Sequence, residues 1–143
     1  MRLGFVRVVA AIILVVGCTE SSGPRQPQEV GNYVLAAING NLLPAVVIDN
    51  PGFRGEVVSG IIFVMSDGSY RELRSSRITT PSGVSTVQSE MNGTYSISGT
   101  AMVFTIPASQ TSPAVTYSAQ LNSTILTINV DGSAYRYEKV LLD

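Results

Sequence analysis

An all-β fold, an antiparallel up-and-down barrel of roughly eight strands, is predicted for this chain by three observations. Beyond residue 30, apolar and polar side chains alternate in short runs. No twelve-residue stretch there carries the i, i+3, i+4 apolar repeat of a helix. Asp-Gly and Asn-Gly pairs fall between the runs, and these pairs take up the positive φ angles that tight hairpin turns need. Successive hairpins without long crossovers make a meander. Closing a meander on itself removes the exposed strand edges that invite aggregation, so a barrel is expected rather than an open sheet.

The strands follow in order. Residues 33–38 form the first, ended by Asn39-Gly40. The proline-containing stretch 49–54 reads as a longer loop, with 79–83 as another. Between them, 61–65 and 69–73 pair across Asp67-Gly68. Residues 94–97 and 101–106 are separated by Ser98-Gly99-Thr100, and in the second of these Met102, Phe104 and Ile106 alternate with Val103, Thr105 and Pro107. A loop over 107–113 leads to a strand in which Val115, Tyr117, Ala119 and Leu121 share one face. Leu126, Ile128 and Val130 line one face of the next, as a half-buried antiparallel strand demands. That strand, 125–130, turns at Asp131-Gly132 into 134–139. The stretches Ser66-Asp67-Gly68-Ser69 and Val130-Asp131-Gly132-Ser133 echo each other, which is expected of two hairpins with the same turn chemistry rather than of a duplication.

The N-terminus reads as an address. Arg2 and Arg7 precede nine consecutive apolar residues, 8–16, then Gly17 and the only cysteine, Cys18. This is a signal-peptide layout, and the run is far short of the roughly 20 residues that a spanning helix needs. Val15-Val16-Gly17-Cys18 resembles the lipobox of bacterial lipoproteins at every position. The resemblance implies cleavage between Gly17 and Cys18, diacylation of the Cys18 thiol and acylation of the new amino terminus. Each buried methylene contributes about 0.8 kcal/mol, so several chains would hold the protein on a membrane durably. The rival reading is an incidental cysteine behind an ordinary secretory signal or a membrane helix. The lipoprotein reading implies a cell-envelope location. Thr19 after the cysteine, where an aspartate would signal retention at the inner membrane, points to the outer membrane, facing the periplasm.

Three regions follow: a signal peptide over 1–17, a lipidated cysteine and flexible Ser/Pro/Gln-rich tether over 18–30, and one domain over 31–143. Loss of 1–17 removes two of the 9 basic residues, leaving 7 against 10 acidic ones, a net charge of −3. Lys139 is the single lysine. A nucleic-acid partner is excluded on this balance, since it would need clustered cations. Arg71, Arg74 and Arg77 lie close together, but with Glu72 among them they read as a solvated strand edge.

Residues 33–40 with Leu43-Pro44 after them, 60–71 with their Asp-Gly turn, 93–99 and the closing Asp131-Gly132 hairpin resemble the small lipocalin-like domains of bacterial lipoproteins. The resemblance spans nearly all of 31–139 and implies a barrel able to bind a small apolar or amphiphilic molecule. Larger lipocalins carry Gly-x-Trp near the first strand, whereas this chain has Gly31-Asn32-Tyr33 and no tryptophan.

Catalysis is not expected. There is no histidine, and Cys18 is committed to the anchor, so the usual bases and nucleophilic dyads are missing. Asp67 and Asp131 are explained by turns, and Glu72 and Glu138 read as polar-face residues. No metal site or cofactor is expected: imidazole is absent, and Asp49, Asn50 and Glu56 lack a calcium-loop spacing. The remaining candidate site is the lumen, which in eight-stranded barrels either fills with side chains or holds one small ligand. Strands of about six residues give a barrel roughly 15 Å tall, which Phe63, Tyr95, Phe104, Tyr117 and Tyr135 would largely fill. Two functions follow. One is a membrane-anchored, non-catalytic binding module. The other is a filled barrel whose loops at 49–54 and 107–113 dock on an envelope protein or inhibit an enzyme.

Overall fold

The computed structural model describes residues 27–141, and the leader, Cys18 and most of the tether lie outside them. Ten strands follow in order: β1 (Gly31–Ile38), β2 (Asn41–Leu42), β3 (Ala45–Asn50), β4 (Phe53–Val64), β5 (Ser69–Thr80), β6 (Gly83–Ser98), β7 (Ala101–Ile106), β8 (Val115–Asn122), β9 (Ile125–Val130) and β10 (Ser133–Lys139). Strands β4 to β10 pair each with the next, β10 pairs with β1, and β1 returns to β4 from Gly31↔Val64 to Val34↔Ile61. The result is a closed, antiparallel eight-stranded barrel with two additional strands, β2 and β3.

Alternation places one parity of each strand inside. Tyr33 and Leu35 of β1, Ile62 and Val64 of β4, Met102 and Phe104 of β7, Ala119 and Leu121 of β8, Leu126 and Ile128 of β9 and Tyr137 of β10 form one buried cluster. Phe63 lies on the other parity, between buried Ile62 and Val64, so it faces outward and does not fill the lumen as its aromatic character suggested. Tyr33, Tyr70 and Tyr137 take up that volume instead.

The turns explain where strands end. Asn39-Gly40 and Asp131-Gly132 carry positive φ at both central residues, the two-residue hairpin geometry that the right-handed strand twist favours. The Asp67-Gly68 turn differs. Only Gly68 has positive φ there, and the loop spans four residues, with the Met65 N–H donating to the Ser69 carbonyl and Asp67 Oδ1 accepting from the Ser69 N–H at 2.9 Å. The sequence echo therefore joins two unlike turns.

Two expected loops are strands in the structure. Within 49–54 only Pro51-Gly52 turns, proline fixing the first φ and Gly52 supplying φ 78°. Within 79–83 only Pro81 and Ser82 lie outside strands. The loop after β7 is as expected. Strands β4, β5 and β6 are thus 12, 12 and 16 residues long, not six. Their excess length, with β3, forms a four-stranded blade that projects beyond the barrel at the end where β7 stops and β8 begins. An extra residue at Val58, between the pairs Val57↔Ser76 and Ser59↔Ser75, bends β4 where the barrel gives way to the blade.

The two ends of the barrel differ. At the end opposite the blade, residues 28–30 cover the strand termini: Tyr33 Oη donates to the Glu29 carbonyl at 2.8 Å, and Lys139 Nζ donates to that of Gln28 at 2.6 Å. The chain preceding β1 therefore enters at the end away from the blade.

Candidate functional site in the barrel lumen

Strand β5 carries the site. Its inward parity is Tyr70, Glu72, Arg74 and Ser76, while Arg71 points outward to Glu90, with Nε and Nη2 at 3.0 and 2.9 Å from the two carboxylate oxygens. Arg77 is also outside. It and Arg54 clasp Glu56 between them, at 2.8 Å from Arg77 Nε and 3.0 Å from Arg54 Nη2. These contacts hold the Glu56 carboxyl below the usual carboxylate range, the Arg77 hydrogen bond contributing most and outweighing, with Arg54, the opposing effect of burial. With both oxygens occupied, Glu56 does not converge with Asp49 and Asn50 on a cation.

The arginine trio is therefore not one solvated edge, and Glu72 is not on a polar face. Glu72 is 5% exposed, inside the barrel. Sequence reasoning missed it because both parities of 69–77 carry charges, and the outward parity holds the more conspicuous apolar residue, Leu73. The signal that could have found it is Tyr70, whose parity Glu72 and Arg74 share.

Around Glu72 the geometry is tight. Arg74 Nε donates to Glu72 Oε1 at 3.0 Å, Arg74 Nη2 reaches the same oxygen, and Tyr137 Oη donates to it at 2.8 Å from across the lumen. The guanidinium carbon lies 4.7 Å from the ring centroid of Tyr135, so the cation also rests on an aromatic face. All three donors converge on Oε1. Among the described residues, none bonds Oε2 or the Tyr70 hydroxyl, although neither is sealed from the neighbouring cavity.

Burial and charge set the protonation states. Burial, then Glu72, pushes the Tyr137 hydroxyl far above its ordinary value and the Tyr70 hydroxyl up to about 12. Burial would lower the Arg74 guanidinium, but Glu72 and then Tyr137 outweigh it and raise it further. Both tyrosines are thus fixed as neutral hydroxyls and Arg74 as a cation across the neutral pH range.

A cavity of about 90 Å³ adjoins this cluster, walled by Tyr70, Glu72, Arg74, Met91, Phe104, Tyr117, Ile128, Val130, Tyr135 and Tyr137. That is several times the roughly 10–15 Å³ needed to hold one water. Tyr70 and Phe104 meet edge to face at 4.8 Å on its wall, above the filled part of the core. Of the residues expected to fill the lumen, Phe104, Tyr117 and Tyr135 line this space, while Tyr95 lies aside with its hydroxyl on the Met65 carbonyl at 2.8 Å. Gly93 keeps the wall close: a Cβ there would come within 2.7 Å of Tyr70 Cε1 and collide with the Thr105 carbonyl of β7.

Comparison of the chain with protein-family models, with curated proteins and with solved structures returned no match. The reading of this site rests on its chemistry. Among the described residues it offers an apolar, aromatic wall, one internally neutralised ion pair, and unpartnered donors and acceptors. Such a surface can hold and orient a small molecule. Among the described residues, no group of three or more Cys, Asp or Glu side chains is placed to hold a metal.

Proposed function

We propose that this protein is a lipid-anchored, non-catalytic barrel of the bacterial cell envelope that binds a small amphiphilic molecule in its lumen. The observation that carries the binding half is the cavity beside Glu72 and Arg74, where polar groups without partners among the described residues meet an aromatic wall. Apolar packing of similar volume often replaces a buried ion pair without loss of stability, so stability alone does not account for Glu72 and Arg74 in the lumen. The anchor half rests on the lipobox-like Val15-Val16-Gly17-Cys18 and on the entry of the chain at the end away from the blade. An anchor at Cys18 would set that end toward the bilayer and turn the blade toward the aqueous side.

Native mass spectrometry of the protein isolated gently from a bacterial host tests the binding half. An extra mass lost on denaturation is the expected result. A bare mass that persists after incubation with envelope lipid extract would overturn it. For the anchor, Cys18→Ser is expected to abolish the acyl mass and release the protein from the membrane fraction, and retention of both would refute the lipoprotein reading.

A second reading, a barrel acting on an envelope protein, is favoured by the blade. Val46, Val47 and Ile48 of β3 and Val84 and Val87 of β6 are exposed there, near the turn of 49–54. It predicts co-purification of an envelope protein that is lost on replacing these valines, with the lumen empty.

A further inference from the structure

We propose that the lumen selects an uncharged amphiphile whose head group both donates and accepts a hydrogen bond, an alcohol or a primary amide, over a carboxylate or an amine of the same length. This rests on the binding reading above and deepens it.

Of the ten residues that wall the cavity only Glu72 and Arg74 are ionic, and they are paired with each other. A carboxylate entering beside them is drawn to Arg74 and repelled by Glu72 at nearly the same distance. An ammonium meets the opposite pair of forces. Either ion would leave water without a net electrostatic gain, and in a largely enclosed apolar space that desolvation is costly. A neutral head avoids this loss.

Hydrogen bonding then selects among neutral heads. Glu72 receives its three bonds on Oε1, which leaves Oε2 as an acceptor without a partner among the described residues. Among the described residues, Arg74 spends Nε and Nη2 on Glu72, leaving the Nη1 hydrogens unspent, and the hydroxyl of Tyr70, itself 3% exposed, is a further group without a partner. An acceptor and donors thus lie side by side on one wall. A hydroxyl can donate to Oε2 and accept from Arg74 or Tyr70 at once, and a primary amide does the same with two atoms. An ether or ketone can only accept, so it leaves Oε2 unanswered. Sites that hydrogen-bond a substrate hydroxyl discriminate strongly against analogues without it, because their own buried groups then go unpaired. Met91 and Val130, toward the blade end of the barrel, would take the apolar tail.

The test is calorimetric titration of the intact protein with 1-hexanol, hexanoate and hexylamine at neutral pH. The expected result is 1-hexanol binding at least tenfold tighter than either ion. Glu72→Gln keeps the shape but leaves Arg74 as a net cation, so hexanoate should gain at least tenfold relative to 1-hexanol. The wild-type comparison alone decides the matter should that variant fold poorly. Hexanoate or hexylamine equalling 1-hexanol overturns this selectivity and leaves the binding reading intact. Failure of all three to bind refutes the selectivity, and with a bare native mass in envelope extract it removes the binding reading as well.

Discussion

At the scale of single residues the decisive distinction is between charges inside and outside the barrel wall. Arg71 and Arg74 are three positions apart, each beside a glutamate, yet Arg71 is outside and Arg74 inside. Exposed pairs contribute roughly 0–1 kcal/mol because water screens them. Arg71→Ala is therefore expected to lower the free energy of unfolding by less than about 1 kcal/mol. Arg74→Met strands the Glu72 carboxylate in the lumen, where removing one partner of a buried pair costs about 3–5 kcal/mol. Tyr137→Phe removes one hydrogen bond to a charged group, an effect of about 1.5–3 kcal/mol. Chemical denaturation of the three variants checks the order Arg74, Tyr137, Arg71. Comparable losses for Arg71 and Arg74 would contradict the placement of Glu72.

At the scale of elements, β6 changes character along its length. From Ser69↔Thr94 to Thr80↔Gly83 it pairs with β5, but β7 joins its other side only from Thr94 to Ser98. Amides on the open side of 83–93 should exchange with deuterium rapidly, while those of β9 and β10, paired on both sides, should exchange only with global opening. Uniform protection along β6 would show that the open edge is covered. Gly93 marks the crossover. Gly93→Ala is expected to cost about 1–3 kcal/mol or more because the new methyl meets the β7 backbone and Tyr70. Gly40→Ala meets no atom within 4 Å, so only its φ of 81° opposes it, at about 1–2 kcal/mol. Thermal melts of both variants separate the steric effect from the conformational one. The first half of β6 was not legible in the sequence. Its valines, Val84 and Val87, stand on opposite faces three apart among polar residues, because neither face of that stretch packs on a core. Where a strand does pack on the core, as at Leu126, Ile128 and Val130, the alternation was plain.

At the scale of the whole molecule, the lumen couples stability to alkaline pH. Tyr33 and Tyr70 ionise only at about 12 in the folded barrel, and Tyr137 higher still, against an ordinary value of 10.0. Because the fold favours the protonated hydroxyls, their contribution is complete below pH 10 and is lost as pH rises from 10 through 12 for Tyr33 and Tyr70, and at higher pH for Tyr137. Of the six tyrosines, these three are expected to form tyrosinate only as the barrel opens, so their absorbance change should coincide with loss of the circular dichroism of the strands. Ionisation of all six near pH 10 with the barrel intact would contradict this. The sequence by itself determined the all-β class, the order of most strands, the hairpins at Asn39-Gly40, Asp67-Gly68, 98–100 and Asp131-Gly132, and the inward parity of Met102, Phe104, Leu121 and Leu126. These are local properties, set by the two-residue period of a strand and by the φ angles that Asn-Gly and Asp-Gly tolerate. Only the tertiary structure decided that β1 closes on both β4 and β10, that Glu72 and Arg74 lie in the lumen, and that Tyr137, 65 residues from Glu72, meets it there. Closure brings together strands with no local signal for each other, and Glu72 is tolerated inside because Arg74 of its own strand and Tyr137 from across the barrel both bond it.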